Sequence, residues 1–137
     1  MDAAAEVSAA NRAFYDAFEA RDLDAMSAVW ERSDRAQCTH PGWATLDGWG
    51  AVAGSFFALF QNLQTLQFVL TQERVHVQDG VAWVTVDENL LGDQGGSTVA
   101  AVNVFVRDGG DGRWRLVCHH GSVVSAIVPT DAGEQGD

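Results

Sequence analysis

Residues 98–124 read TVAAVNVFVRDGGDGRWRLVCHHGSVV, two apolar runs around a glycine-rich break. Thr98–Val106 and Trp114–Val124 carry the valines and aromatics that suit a pleated, half-buried surface, and Asp108-Gly-Gly-Asp-Gly112 between them suits a hairpin loop. Upstream, Val81-Ala-Trp-Val-Thr-Val86 follows Asp79-Gly80, a tight-turn pair, and a run rich in Val, Phe, Leu and Thr begins at Leu66. A further break falls at Gly92–Gly96. The second half is therefore expected to be a four-strand antiparallel meander.

The first half has a helical period. Val7, Ala10, Phe14, Ala17 and Phe18 share one face, with Glu6, Arg12, Asp16 and Glu19 elsewhere, which predicts an amphipathic helix ending near Arg21. Asp22 is placed to cap a second helix bearing Leu23, Met26, Val29 and Trp30. Asp34–Thr39 reads as a short strand running into a turn at His40-Pro41-Gly42. Asp47 is expected to cap a third helix whose stripe is Trp49, Val52, Phe56, Phe60 and Leu63. The pattern predicts an α+β domain with helices on one face of the sheet. Val84 and Val86 alternate with Trp83 and Thr85, and Val117 with Leu116, so both sheet faces are apolar, which predicts that a second subunit covers the outer one.

The chain has 137 residues, 47% of them apolar, with 19 acidic and 8 basic side chains and a formal charge of −11. All the basic residues are Arg. That balance repels phosphate backbones and anionic headgroups, so neither nucleic acid nor a membrane surface is an expected partner. No apolar run approaches the roughly 20 residues that span a bilayer, and the N-terminal stretch lacks a basic region followed by an apolar one. Cys38 and Cys118 have no CxxC spacing, and reduced thiols in a cytoplasmic protein are expected. One domain over residues 6–126 is expected, with flexible tails at 1–5 and 129–137.

The order of elements, with ARDLDAM at 20–26, THPGW at 39–43 and NVFVRDGGDGRWRLVCHHGS at 103–122, resembles the SnoaL-like branch of the nuclear transport factor 2-like superfamily. The resemblance implies a cone-shaped, cystatin-like α+β barrel, in which a curved antiparallel sheet wraps the long helix, encloses an apolar pocket and dimerises through its convex face. It implies a small apolar or aromatic ligand and no cofactor. Its activities range over isomerases, cyclases and dehydratases to members that only bind or assemble, so fold alone does not select one. Set against ketosteroid isomerase, a more distant relative, Phe14 falls where that enzyme has a tyrosine, His40 where it has its base, and Asn103 where it has an aspartic acid that stabilises the oxyanion. Phe14 has no hydroxyl, and Tyr15 beside it points about 100° away around the helix.

His40 and Asn103 are thus the candidate base and oxygen-stabilising donor. Glu88 shares the parity of Val84 and Val86, which places a carboxylate inside, where it orients its neighbours or shuttles a proton. His119 and His120 point to opposite faces; His119 is expected inside with Val117 and Gly121 unless a bulge reverses the register. Trp43, Trp49, Phe56, Phe60, Phe14, Tyr15 and His119 are expected to touch the ligand. No metal site is expected. The leading expectation is acid–base isomerase, cyclase or dehydratase chemistry on an apolar carbonyl compound; the alternatives are a non-catalytic carrier or sensor, and a dimerising assembly module.

Overall fold

Asp2, Asp22 and Gly48 open the three helices among the described residues, the two aspartates by side-chain capping and the glycine by its backbone conformation. In the computed structural model, which describes residues 2–62, 65–92 and 95–125, Asp2 accepts the Ala5 N–H at 2.8 Å and starts α1 (Ala3–Ala20), inside the stretch read as an N-terminal tail. Arg21 ends α1 in the left-handed region at φ 53°, its N–H returned to Ala17 and Phe18 carbonyls. Asp22 then accepts the Ala25 N–H at 3.0 Å and caps α2 (Leu23–Val29) as expected. The third helix, α3 (Trp49–Phe60), departs from expectation. Its N-cap is Gly48 at φ 87°, a conformation that glycine adopts freely, while Asp47 is engaged by the Gln37 amide at 2.7 Å. Leu63 and residues 129–137 lie outside the described residues.

The strands are β1 (Gln37–Thr39), β2 (Leu46–Asp47), β3 (Leu66–Gln78), β4 (Val81–Gly92), β5 (Gly95–Arg107) and β6 (Trp114–Val123). They form one sheet in the order β2-β1-β6-β5-β4-β3. The meander β3 to β6 is antiparallel throughout, as its turn residues predict. The expected cystatin-like α+β architecture is present, with two particulars. β1 runs parallel to β6, making the sheet mixed, and β2 and β3 are its edges, so it stays open.

Two bulges decide which side chains face the helices. In β3, Thr71 pairs with Asp87 and Arg74 with Thr85, so two residues oppose one, and Gln72 takes φ 60°. Phe68 and Leu70 face inward before the bulge, Val75 and Val77 after it, and the parity changes from even to odd. Between β5 and β6, Val104 pairs with Cys118 and Phe105 with Leu116, which leaves Val117 as the extra residue. Trp114 and Leu116 face in before this bulge, His119 and Gly121 after it. His119 is therefore inside as expected, without Val117.

The concave face packs on an aromatic cluster centred on Phe14, whose ring lies edge-on to Tyr15 at 4.8 Å, Phe56 at 6.1 Å and Trp30 at 6.4 Å. Such pairs add about 0.5 to 1.5 kcal/mol each beyond burial. Gly121 lets the turn after β1 approach the sheet: a Cβ there would meet Val99 Cγ1 at 2.9 Å and Pro41 Cγ at 3.3 Å. Gly121→Ala is expected to lower stability by about 1 to 3 kcal/mol through overpacking, read as a lower midpoint in urea titration. An unchanged midpoint would show that the Pro41 turn moves aside freely.

Candidate functional site

Burying a hydroxyl, an amide or a carboxylate costs several kcal/mol unless each finds a partner, so polar residues on the inward parity must assemble. Those on α1, β4, β5 and β6 do. Asn103 Nδ2 donates to Asn11 Oδ1 at 2.9 Å and to the Tyr15 hydroxyl at 3.1 Å. Tyr15 donates in turn to Glu88 Oε2 at 2.5 Å. His119 Nδ1 lies 2.5 Å from Asn103 Oδ1. Because both Asn103 amide protons are engaged and its oxygen can only accept, His119 carries its proton on Nδ1 and a lone pair on Nε2. That Nε2 is 3.9 Å from Glu88 Oε2. At the far end, Asn11 Nδ2 donates to Glu73 at 3.2 Å; Glu73 sits in the β3 bulge and also accepts from Ser8.

His40 forms a second, separate cluster. Its Nε2 is 2.8 Å from Ser55 Oγ, and Ser55 spends its single proton on the Val52 carbonyl at 2.7 Å. His40 is therefore the donor through Nε2–H, and its Nδ1 holds the lone pair. Cys38 Sγ lies 3.6 to 3.8 Å from the two ring nitrogens, its thiol pushed up to about 12 by burial, so it is an inert neighbour. The His40 and His119 rings are 6.4 Å apart. No hydrogen bond joins His40 to Glu88 or Asn103.

Burial lowers His40 to about 4 and is the first cause that lowers His119 to about 3, where protonation is further opposed by any positive charge on His40 or His120; both rings are therefore neutral near pH 7. Glu88 moves the other way. Burial raises it to about 7, against the lowering effect of the Tyr15 hydrogen bond. Tyr15 itself is raised, first by burial and then by Glu88.

Beside His40 opens a cavity of about 470 Å³ between the end of α1, α3 and the ends of β3 to β6. Phe18, Phe60, Leu66, Leu90, Val99 and Val123 give it an apolar wall. Glu19, with Oε2 held by the Phe68 N–H at 2.7 Å, and Arg21, bonded to the Asn62 carbonyl, stand at its rim. Of the sequence candidates, His40, Trp43 and Phe60 line it. Trp43 is 42% exposed and meets the His40 ring edge-on at 4.9 Å. Phe14 and Phe56 are fully buried core, Trp49 packs on Trp30 at 6.1 Å, and Tyr15, Asn103 and His119 belong to the polar seam behind the wall. Glu88 lies at the junction: it pairs across the sheet with cavity-lining Val99 and is two residues from cavity-lining Leu90. Among the described residues no group of three or more metal-ligating side chains occurs.

Sequence reading missed Asn11 and Ser55. Both interrupt apolar helical stripes, Asn11 between Val7 and Phe14 and Ser55 between Val52 and Phe56, which is the legible sign of a buried polar partner.

Residues 7–126 match the model of the SnoaL-like domain. The chain belongs to the SnoaL-like family. A candidate dehydratase of the NTF2-like family from Streptomyces avermitilis is 38% identical and superposes with a TM-score of 0.82 over 90% of this chain and 96% of that one. A candidate calcium/calmodulin-dependent protein kinase type II association domain from Thiobacillus denitrificans is 37% identical, with a TM-score of 0.78 over 86% of this chain and 94% of that one. The F-box protein SKIP8 of Arabidopsis thaliana is 32% identical over 114 residues, 83% of this chain and 48% of that protein. The SnoaL-like chain thus spans about half the length of that curated relative. No described helix is long and apolar enough to cross a membrane.

The raised Glu88 has a stability consequence. Between its ordinary value of 4.5 and about 7 the folded state binds a proton that the unfolded state has released, so this group's contribution falls as pH rises through that window. His40 and His119, depressed when folded, act oppositely below about 6.5. Glu88→Gln removes only the first effect, so its stability relative to the parent is expected to climb between about pH 4.5 and 7, by up to about 3 kcal/mol, and then level. A pH-independent difference in denaturant titrations would show that Glu88 is not shifted.

Proposed function

We propose that this SnoaL-like domain binds a compact, largely apolar small molecule in the cavity beside His40 and moves a proton on it. One observation carries the reading: the apolar wall is interrupted on its inner side by a neutral imidazole whose Nε2–H is committed to Ser55, leaving the basic nitrogen Nδ1 uncommitted to any strong donor. Neutral His40 is the form able to take a proton near pH 7. Glu88 is the partner that titrates near neutrality at the cavity's inner edge. Asn103, with both amide protons engaged, is a positioning residue that aligns Tyr15 and His119 instead of donating to a ligand oxygen. Isomerisation, cyclisation and dehydration of a carbonyl compound all use a base and an acid of this kind, without a cofactor. The similarity to a candidate dehydratase supports the reading.

A second activity of the fold lies on its outer face. Val81, Trp83 and Val102 are each about two-fifths exposed on adjacent strands, with Trp83 stacked on His76 at 5.3 Å. An outward patch of this kind on a soluble domain suits self-association, and we assign it to a homodimer. The similarity to an association domain supports that assignment.

Two experiments follow. His40→Ala, tested on a panel of polyketide-like and steroid-like compounds, is expected to abolish turnover while leaving the fold intact by circular dichroism; unchanged binding and turnover would remove His40 from the account. Light scattering is expected to give twice the chain mass for the parent and the single chain mass for Trp83→Glu, and a monomeric parent would eliminate the dimer.

A further inference from the structure

The seam behind the cavity is unbalanced in its hydrogen bonding. At its cavity end the protons are all spent within the seam: Tyr15 O–H on Glu88 Oε2, both Asn103 N–H groups on Asn11 and Tyr15, and His119 Nδ1–H on Asn103. What is left without a hydrogen-bond partner among the described residues is a pair of acceptors, Glu88 Oε1 and His119 Nε2. They belong to one locus, since His119 Nε2 lies 3.9 Å from the other oxygen of the same carboxyl group. Neither residue is wholly sealed, Glu88 being 4% and His119 2% exposed. The atoms that are sealed and unpartnered, Trp30 Nε1 and Arg115 Nη1, lie elsewhere. Glu88 pairs with Val99 across the sheet and precedes Leu90 on the same face of β4, and both of those residues line the cavity.

We infer that the molecule held in this cavity turns a hydroxyl group past the Val99 and Leu90 lining toward Glu88 Oε1, with His119 Nε2 beside it in the seam, an inference that rests on the ligand-binding reading above. A ketone or ether oxygen in that place would set lone pair against lone pair. A hydroxyl proton instead satisfies an acceptor that has no partner within the protein and would otherwise lose its access to water when the ligand fills the cavity. The site then selects by what it would leave unpaired: an analogue of the same shape that lacks the proton strands the acceptors, and discrimination of that kind is far stronger than discrimination by one methyl group in an apolar pocket. Protonation of Glu88 supplies a competing proton, so the preference is expected to grow as pH rises through its titration.

The test uses β-naphthol and its methyl ether, two probes of one aromatic skeleton that differ in the hydroxyl proton, titrated by fluorescence at about pH 8, above the titration of Glu88. The full chain is expected to bind β-naphthol at least about tenfold more tightly than the ether. In Glu88→Gln, Tyr15 O–H claims the amide oxygen and the amide N–H₂ takes the open position, where it can donate to either oxygen, so the preference is expected to fall below about threefold as the ether's affinity rises. Equal affinities of the parent for the two probes overturn the inference and leave the ligand-binding reading standing. A preference that survives Glu88→Gln overturns the assignment to Glu88. If neither probe binds, the cavity reading fails and this inference with it. The comparison on the parent needs no variant, so a Glu88→Gln protein that does not fold still leaves it decided.

Discussion

One carboxamide organises the interior. Asn103, fully buried in the middle of β5, reaches Asn11 and Tyr15 on α1 with its two amide protons and His119 on β6 with its oxygen. Removing any one of those groups would strand a polar atom in an apolar core, at a cost of about 1 to 3 kcal/mol, whereas sliding α1 by one turn would strand several at once. The aromatic cluster around Phe14 packs α1 against Trp30 and Phe56 and reaches the sheet at His119, but apolar packing alone tolerates rearrangement. Directional bonds do not, so the seam sets where α1 lies and hence where Phe18 and the cavity come to be.

The seam and the cavity are successive layers along the same strands. On β4, Val84 and Val86 are core, Glu88 closes the seam and Leu90 lines the cavity, all on one parity. On β6 the Val117 bulge keeps Leu116 in the core while turning His119 inward, and Gly121 above it gives Pro41 room to bring His40 to the wall. In β3 the bulge at Gln72 and Glu73 returns a carboxylate to Asn11. Each bulge re-aims a charged or titratable side chain, which is what an extra residue in a ladder does.

The two histidines show why residue identity alone does not define chemistry. Both are neutral for the same reason, burial, yet they hold their protons on opposite nitrogens, because Ser55 accepts from one and Asn103 from the other. A SnoaL-like fold places side chains on this inner face in many members, and what each member does follows from which donors and acceptors remain unpaired there. In this chain the remainder is basic: lone pairs on His119 Nε2 and Glu88 Oε1, and on His40 Nδ1, which meets only the weak thiol donor of Cys38 at 3.8 Å.

The caps at Asp22, the Asp79-Gly80 hairpin, the four-strand meander and the inward parity of Glu88 were legible in the sequence because each is written in a window of a few residues, where helical period, strand alternation and turn chemistry operate. The inward face of His119 was legible only subject to register. Tertiary structure decided the parallel pairing of β1 with β6, the open sheet, the move of the α3 cap from Asp47 to Gly48, and the withdrawal of Phe14, Phe56 and Trp49 from the cavity. It also decided that the Asn103 protons are consumed, by residues 92 and 88 positions away in the chain. Local pattern carries no information about such distances; two bulges, each shifting the register by one residue, determine which partners meet.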